Sequence, residues 1–129
     1  MNPRRMALFA LVLAACAPLK PPAAPEDPAA AGHLVVVRSD ALFDWGVRIT
    51  VRVNGEPAAR LRAGEHREFR LAPGVYTVGV ADREIAVAVE TGRTAYFLIR
   101  PLESPSGFEL ERLDPRRGAE WAARTRPAP

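Results

Sequence analysis

VRITVRVNG, residues 47–55, decides how this chain folds. Val47, Ile49, Val51 and Val53 alternate with Arg48, Thr50 and Arg52, so an extended strand would carry all four aliphatic groups on one face. A helix would scatter them. Asn54-Gly55 comes next, the dipeptide best suited to a two-residue hairpin, because both positions need positive φ. PAARLR then returns with Ala59 and Leu61 facing inward. One hairpin with a greasy face and a charged face is half of a sheet that packs on something.

The same signature repeats toward the C-terminus. Ala63-Gly64 turns into HREFRL, with Phe69 and Leu71 inward. Pro73-Gly74 precedes VYTVGV, in which Tyr76, Val78 and Val80 share a face. Ala81-Asp82 turns the chain into REIAVAVE, with Ile85, Val87 and Val89 on one side. Thr91-Gly92 leads to TAYFLIR, which Pro101 stops, and GFELERL puts Phe108 and Leu110 on one face. Upstream, LVVVR (34–38) is a continuous β-branched run. About eight strands at this spacing predict an all-β domain over residues 33–113, a small antiparallel β-sandwich with one buried and one wet face per sheet. In the tail, residues 114–129, Asp114 can cap a helix and Pro115 suits its first turn. One or two turns are predicted there, with Trp121 packing back and a frayed, disordered end from Thr125. Gly118 would weaken that helix by about 1 kcal/mol relative to alanine.

The start of the chain is a different material. MNPRR carries Arg4 and Arg5, and Met6 to Ala15 is wholly apolar. A charged start, a short hydrophobic stretch and small residues are the layout of an export signal. The stretch is too short to span a bilayer, which takes roughly 20 residues. Leu13-Ala14-Ala15-Cys16 resembles the lipobox of bacterial lipoproteins. The resemblance implies a signal peptide over 1–15, read at Leu13, Ala14 and Ala15 and cut before Cys16. It also implies a palmitate-type acyl modification of Cys16. Cys16 is the only cysteine, so acylation would also account for a thiol with no disulfide partner in the chain. Two or more acyl chains anchor a protein stably, at about 0.8 kcal/mol per buried CH₂. Ala17 rather than Asp after the cysteine implies, by the same resemblance, sorting to the outer membrane, facing the periplasm.

Residues 16–32 complete that unit as a tether. Five of the sixteen residues from Ala17 to Gly32 are proline. The segment is predicted to be extended with polyproline character, reaching up to roughly 50 Å at about 3 Å per residue.

The sandwich with V-x-V-N-G at its first hairpin resembles small bacterial envelope lipoproteins with a PEGA-like domain of unknown function. Leu71 to Val78 and Thr91 to Phe97 carry the same resemblance: Pro73-Gly74 before a strand with Tyr76, then Gly92 before the paired aromatics Tyr96-Phe97. Arg38 matches an arginine at the end of the first strand. The resemblance implies a PEGA- or transthyretin-like fold, and no catalytic residues.

The chain has 18 basic and 15 acidic residues, a net charge of +3, and a pI near 9.7. Removing Arg4 and Arg5 leaves 16 against 15, a net of +1. The basic pI therefore belongs partly to the leader, and nucleic acid is not an expected partner. His33 and His66 are the only histidines and stand in no metal-ligand spacing. No metal and no cofactor are expected. Ser39, Ser104 and Ser106 lie in no nucleophile-elbow motif. Asp40 and Asp44 lack the further oxygen donors of a calcium loop and read as turn-formers.

The expectation is thus a non-enzymatic envelope protein, held to a membrane through acyl chains on Cys16. Its candidate contact surface for a protein partner is the first loop, SDALFDWG, where Phe43 and Trp45 stand with Arg38 beside them. The competing readings are that Phe43 and Trp45 plug the core, and that Arg38 forms a clasp with Asp40 or Asp44. A further alternative is an accessory subunit of an envelope or secretion machine, docked by that loop or by addition of a strand to a sheet edge.

Overall fold

The structure, a computed structural model, describes residues 18–40, 47–102 and 107–129. In chain order the strands are β1 (Gly32–Arg38), β2 (Ile49–Val53), β3 (Glu56–Leu61), β4 (Glu65–Leu71) and β5 (Gly74–Val80). They continue with β6 (Arg83–Val89), β7 (Thr94–Pro101) and β8 (Phe108–Leu113), then helix α1 (Pro115–Arg124) and the two-residue β9 (Arg126–Pro127). One sheet has the order β8-β7-β1-β4-β9, the other β3-β2-β5-β6. The two face each other as a small β-sandwich.

The alternation read from the sequence is what closes it. Ile49, Val51 and Val53 from β2 meet Ala59, Leu61, Phe69, Leu71, Val78, Val80, Val87, Val89 and Leu110 in one buried cluster. Tyr76, Ile85 and Phe108 pack against it half-buried. Val47 departs from the pattern: it lies outside β2 and is 57% exposed. Ala58 and Ala59 are both buried although consecutive, because a register shift between Val51 and Arg52 bulges the β2–β3 pair.

Asn54 and Gly55 hold φ of 51° and 79°, the left-handed pair that the hairpin demands. Asn54 also reaches sideways. Its Oδ1 accepts from the Thr77 amide at 2.9 Å, and its own N–H donates to the Thr77 carbonyl at 2.9 Å. The turn is thereby stitched to β5.

Four expectations are corrected. First, the sandwich is not wholly antiparallel: β1 pairs with β7 in parallel, and β4 with β9. The reason lies in LVVVR. Val35, Val36 and Val37 are all buried, on both faces of the sheet, which is the environment of parallel strands. Second, the five-stranded sheet does not have a wet outer face throughout. Val35, Val37, Leu98 and Leu113 form a second cluster there, covered by Tyr96, Trp121 and Ala122. Trp121 does pack back, as expected, but on this outer face.

Third, α1 is longer than one or two turns, at ten residues, and the chain does not fray at Thr125. Asp114 caps it, accepting from the Arg117 amide at 3.0 Å. The Arg126 amide then donates to the Gly64 carbonyl at 3.0 Å, and that of Ala128 to the His66 carbonyl at 2.8 Å. These bonds make β9 the edge strand. Fourth, the Pro/Ala segment is not a free spacer up to residue 32. The Lys20 amide donates to the Pro57 carbonyl at 2.6 Å. Asp27 caps a single 3₁₀ turn, Pro28–Ala30. Thr91 Oγ1 donates to the Ala30 carbonyl at 2.9 Å, the Gly92 amide donates to the Ala31 carbonyl at 3.0 Å, and Ala31 is buried.

Candidate functional site

Arg38 ends β1, and its side chain turns inward to 1% exposure. The guanidinium donates to the carbonyl of Val47 and, at 2.7 Å, to that of Leu61, and stands 5.7 Å from the centre of the Phe108 ring. It therefore joins the end of β1 to the entry of β2, the end of β3 and the start of β8. This corrects the reading of Arg38 as part of a contact surface. A buried cation is stable only when it is hydrogen-bonded or paired, and here the Val47 and Leu61 carbonyls both accept from its Nη1. A partner cannot reach it. The clasp reading holds in its position: the Val47 and Leu61 carbonyls accept from the guanidinium, and Asp44, one of the carboxylates expected, lies outside the described residues.

The other sequence-derived site residues, Leu13, Ala14, Ala15 and Cys16 at the leader and Phe43 and Trp45 in the first loop, lie outside the described residues. So does Asp44. Asp40 is described and exposed at the mouth of that loop.

The hairpin that decides the fold also builds a cationic face. Ile49 pairs with Leu61 and Thr50 with Arg60, so Arg48, Arg60 and Arg62 project from the side opposite the core. All three are exposed. Together with Leu19, Glu65 and Pro129 they line a cleft of about 220 Å³. Glu65 is its floor: 5% exposed, its Oε1 accepts from the Arg62 amide at 2.7 Å, and Oε2 lies 3.8 Å from Arg126 Nε. Glu65, the one acidic side chain lining the cleft, is thus turned to its own chain, and the three arginines stand on the cleft's exposed rim. The alternation of Arg48 with Ile49, and of Arg60 and Arg62 with Leu61, makes these cations legible once the hairpin register is known. Leu19 and Pro129 are not: each arrives from a terminus through tertiary contacts.

A larger cleft of about 520 Å³ lies between the two sheets' far ends, lined by His33, Glu90, Arg93, Tyr96, Arg112 and Pro115 among others. Its charges are partly matched locally. Arg93 Nε lies 3.3 Å from Glu90 Oε2. His33 Nδ1 meets Glu68 Oε1 at 2.8 Å on the neighbouring strand. His66 is a joint between elements as well, its Nδ1 standing 2.9 Å from Thr125 Oγ1 at the end of α1. Among the described residues no group of three or more His, Cys, Asp or Glu could hold a metal ion. Among them, too, no helix is long and apolar enough to cross a membrane.

Fold and geometry define a class: a two-sheet β-sandwich with one helix laid on a sheet face and an N-terminal segment bound along it. No protein family matches the chain, and no curated protein does. A solved structure, the N-terminal domain of AlgF from P. aeruginosa, superposes with a TM-score of 0.43 at 16% identity. The match covers 67% of this chain and 98% of that one.

Proposed function

We propose that the protein is a lipid-anchored component of a bacterial envelope, in which the sandwich acts as a non-enzymatic binding or scaffold module. The observation that carries the reading is Leu13-Ala14-Ala15-Cys16 directly after a short apolar run with two leading arginines. Acyl chains on Cys16 would supply the membrane affinity, and Ala17 favours the outer membrane. The module reading draws on side chains such as Arg38, His33 and His66, which are engaged in holding elements together. Labelled palmitate fed to cells making the full chain should enter the wild-type protein and not Cys16→Ala. Equal labelling of the two would end the proposal.

A second reading is an accessory subunit that docks a protein partner, through the first loop or a sheet edge. The observation favouring the edge is β6, which ends its sheet with Ala86 and Ala88 exposed between buried Val87 and Val89. A strand with small outward side chains can accept another strand by main-chain bonding. Crosslinking in intact membranes, followed by recovery of the protein, should yield a heteromeric adduct. Recovery of the uncrosslinked chain alone would count against it.

A further inference from the structure

The N-terminal segment that the sequence presents as a long spacer is bound to the domain almost from its beginning. Lys20 is the first fixed point, its amide 2.6 Å from the Pro57 carbonyl on β3. Upstream of it, Leu19 lines the cleft with Arg60, which follows Pro57 on β3, and Arg62, just past the strand's end. From Lys20 back to Leu19 the chain therefore runs antiparallel to β3, heading toward the arginine end of the hairpin. Only residues 17–19 separate Lys20 from Cys16. Four residue steps span at most about 14 Å of extended chain.

From these observations we infer that the β3 edge, with Arg48, Arg60 and Arg62, lies directly on an anionic lipid surface. The domain is not held out on a tether. This rests on the proposal that Cys16 is acylated. Given that, the attachment point cannot leave the arginine end of β3 by more than a few residue lengths, and the bilayer comes with it. The charge fits the occupant. Lys20, Arg48, Arg60 and Arg62 are exposed, while Glu65 is buried against the Arg62 amide and near Arg126. Anionic headgroups attract such a cluster within a Debye length of the surface. Leu19, 37% exposed, and Val47, 57% exposed, add apolar contact at the same end. The opposite edge of this sheet, β6, lies three strand spacings away, about 14 Å.

The test uses the acylated full-length protein in vesicles of phosphatidylethanolamine and phosphatidylglycerol carrying a headgroup quencher. A thiol-reactive fluorophore is placed on Val47→Cys or on Ala88→Cys at the far edge, Cys16 being capped by its lipid. The inference expects at least about threefold more quenching at residue 47 than at 88, since only the former lies within a Debye length of the headgroups. That contrast should shrink in zwitterionic vesicles and in the triple variant Arg48→Gln, Arg60→Gln, Arg62→Gln. Equal quenching at the two positions overturns the inference, as does a contrast indifferent to both lipid charge and the three arginines. Labelling of the protein without an introduced cysteine would mean a free Cys16 thiol, and would overturn the lipid proposal itself.

Discussion

Single residues here do work that their local context disguises. Gly118 sits inside α1, where alanine would be the better helix former by about 1 kcal/mol. A Cβ at that position would stand 2.1 Å from Cγ of Tyr96, a ring that belongs to the sheet beneath. The glycine lets the helix lie flat on β7. Gly118→Ala should therefore lower stability by about 1–3 kcal/mol in urea unfolding, as overpacked sites do; a gain would show that the helix can lift at no cost. Ala81 presents the opposite case. It holds φ of 53° in the β5–β6 turn with a Cβ that disfavours it. Ala81→Gly should raise stability by about 1 kcal/mol, visible as a higher urea midpoint at unchanged slope. Arg38 is the most demanding residue. Arg38→Met should cost about 1–3 kcal/mol, because it strips the donor from the buried Leu61 carbonyl and from the part-buried Val47 carbonyl. Arg38→Lys should recover little, since one ammonium cannot copy a planar fork.

Elements are fastened at their ends as much as along their lengths. α1 covers the second apolar cluster through Trp121 and Ala122, yet its exit is what orders the C-terminus. Thr125 Oγ1 donates back toward the Trp121 and Ala122 carbonyls and meets His66 on β4, after which Arg126 and Pro127 take the open side of that strand. Removing residues 126–129 uncovers the β4 edge and two main-chain bonds. The expected loss is about 1–2 kcal/mol at roughly 1 kcal/mol per bond. The truncated chain should also show faster amide exchange in residues 65–67 than in the β2–β5 pair. Uniform exchange across both sheets would mean that β9 adds nothing local. The N-terminal segment follows the same logic, with its bonds placed at Lys20, Ala30 and Ala31 and the prolines between them setting the backbone.

At the scale of the molecule, the connections matter more than the strands. Hairpins form locally, at Asn54-Gly55 and Ala81-Asp82, but β1 finds its partners β4 and β7 far along the chain. The central strand of the larger sheet is thus completed only when residues 94–99 arrive. Such non-local pairing slows folding, because loop closure precedes the contacts that reward it. Refolding from urea should occupy milliseconds to seconds, with the β2–β3 hairpin protected before β1 in pulsed hydrogen exchange. Protection of β1 first would contradict that order.

Much of this was written in the linear chain. A period of two names the core faces of β2, β4, β5 and β6, since side-chain direction in a strand depends only on parity. Asn54-Gly55 and Gly92 mark turns because few residues tolerate positive φ. Asp114 and Pro115 announce α1 for equally local reasons. The arginines on the hairpin's outer face follow from the same parity. What the chain could not declare is which surfaces meet. Four apolar residues in a row at 34–37 say that both faces of β1 are buried, but not that a helix eighty residues away covers one of them. Nor could the Pro/Ala composition between 18 and 31 reveal that the Lys20 amide finds a partner on β3 and that the Ala30 and Ala31 carbonyls find theirs on the Thr91-Gly92 turn. Main-chain hydrogen bonding is nearly blind to side-chain identity, so those attachments, the inward turn of Arg38 and the ordering of the C-terminus were decided by the tertiary structure alone.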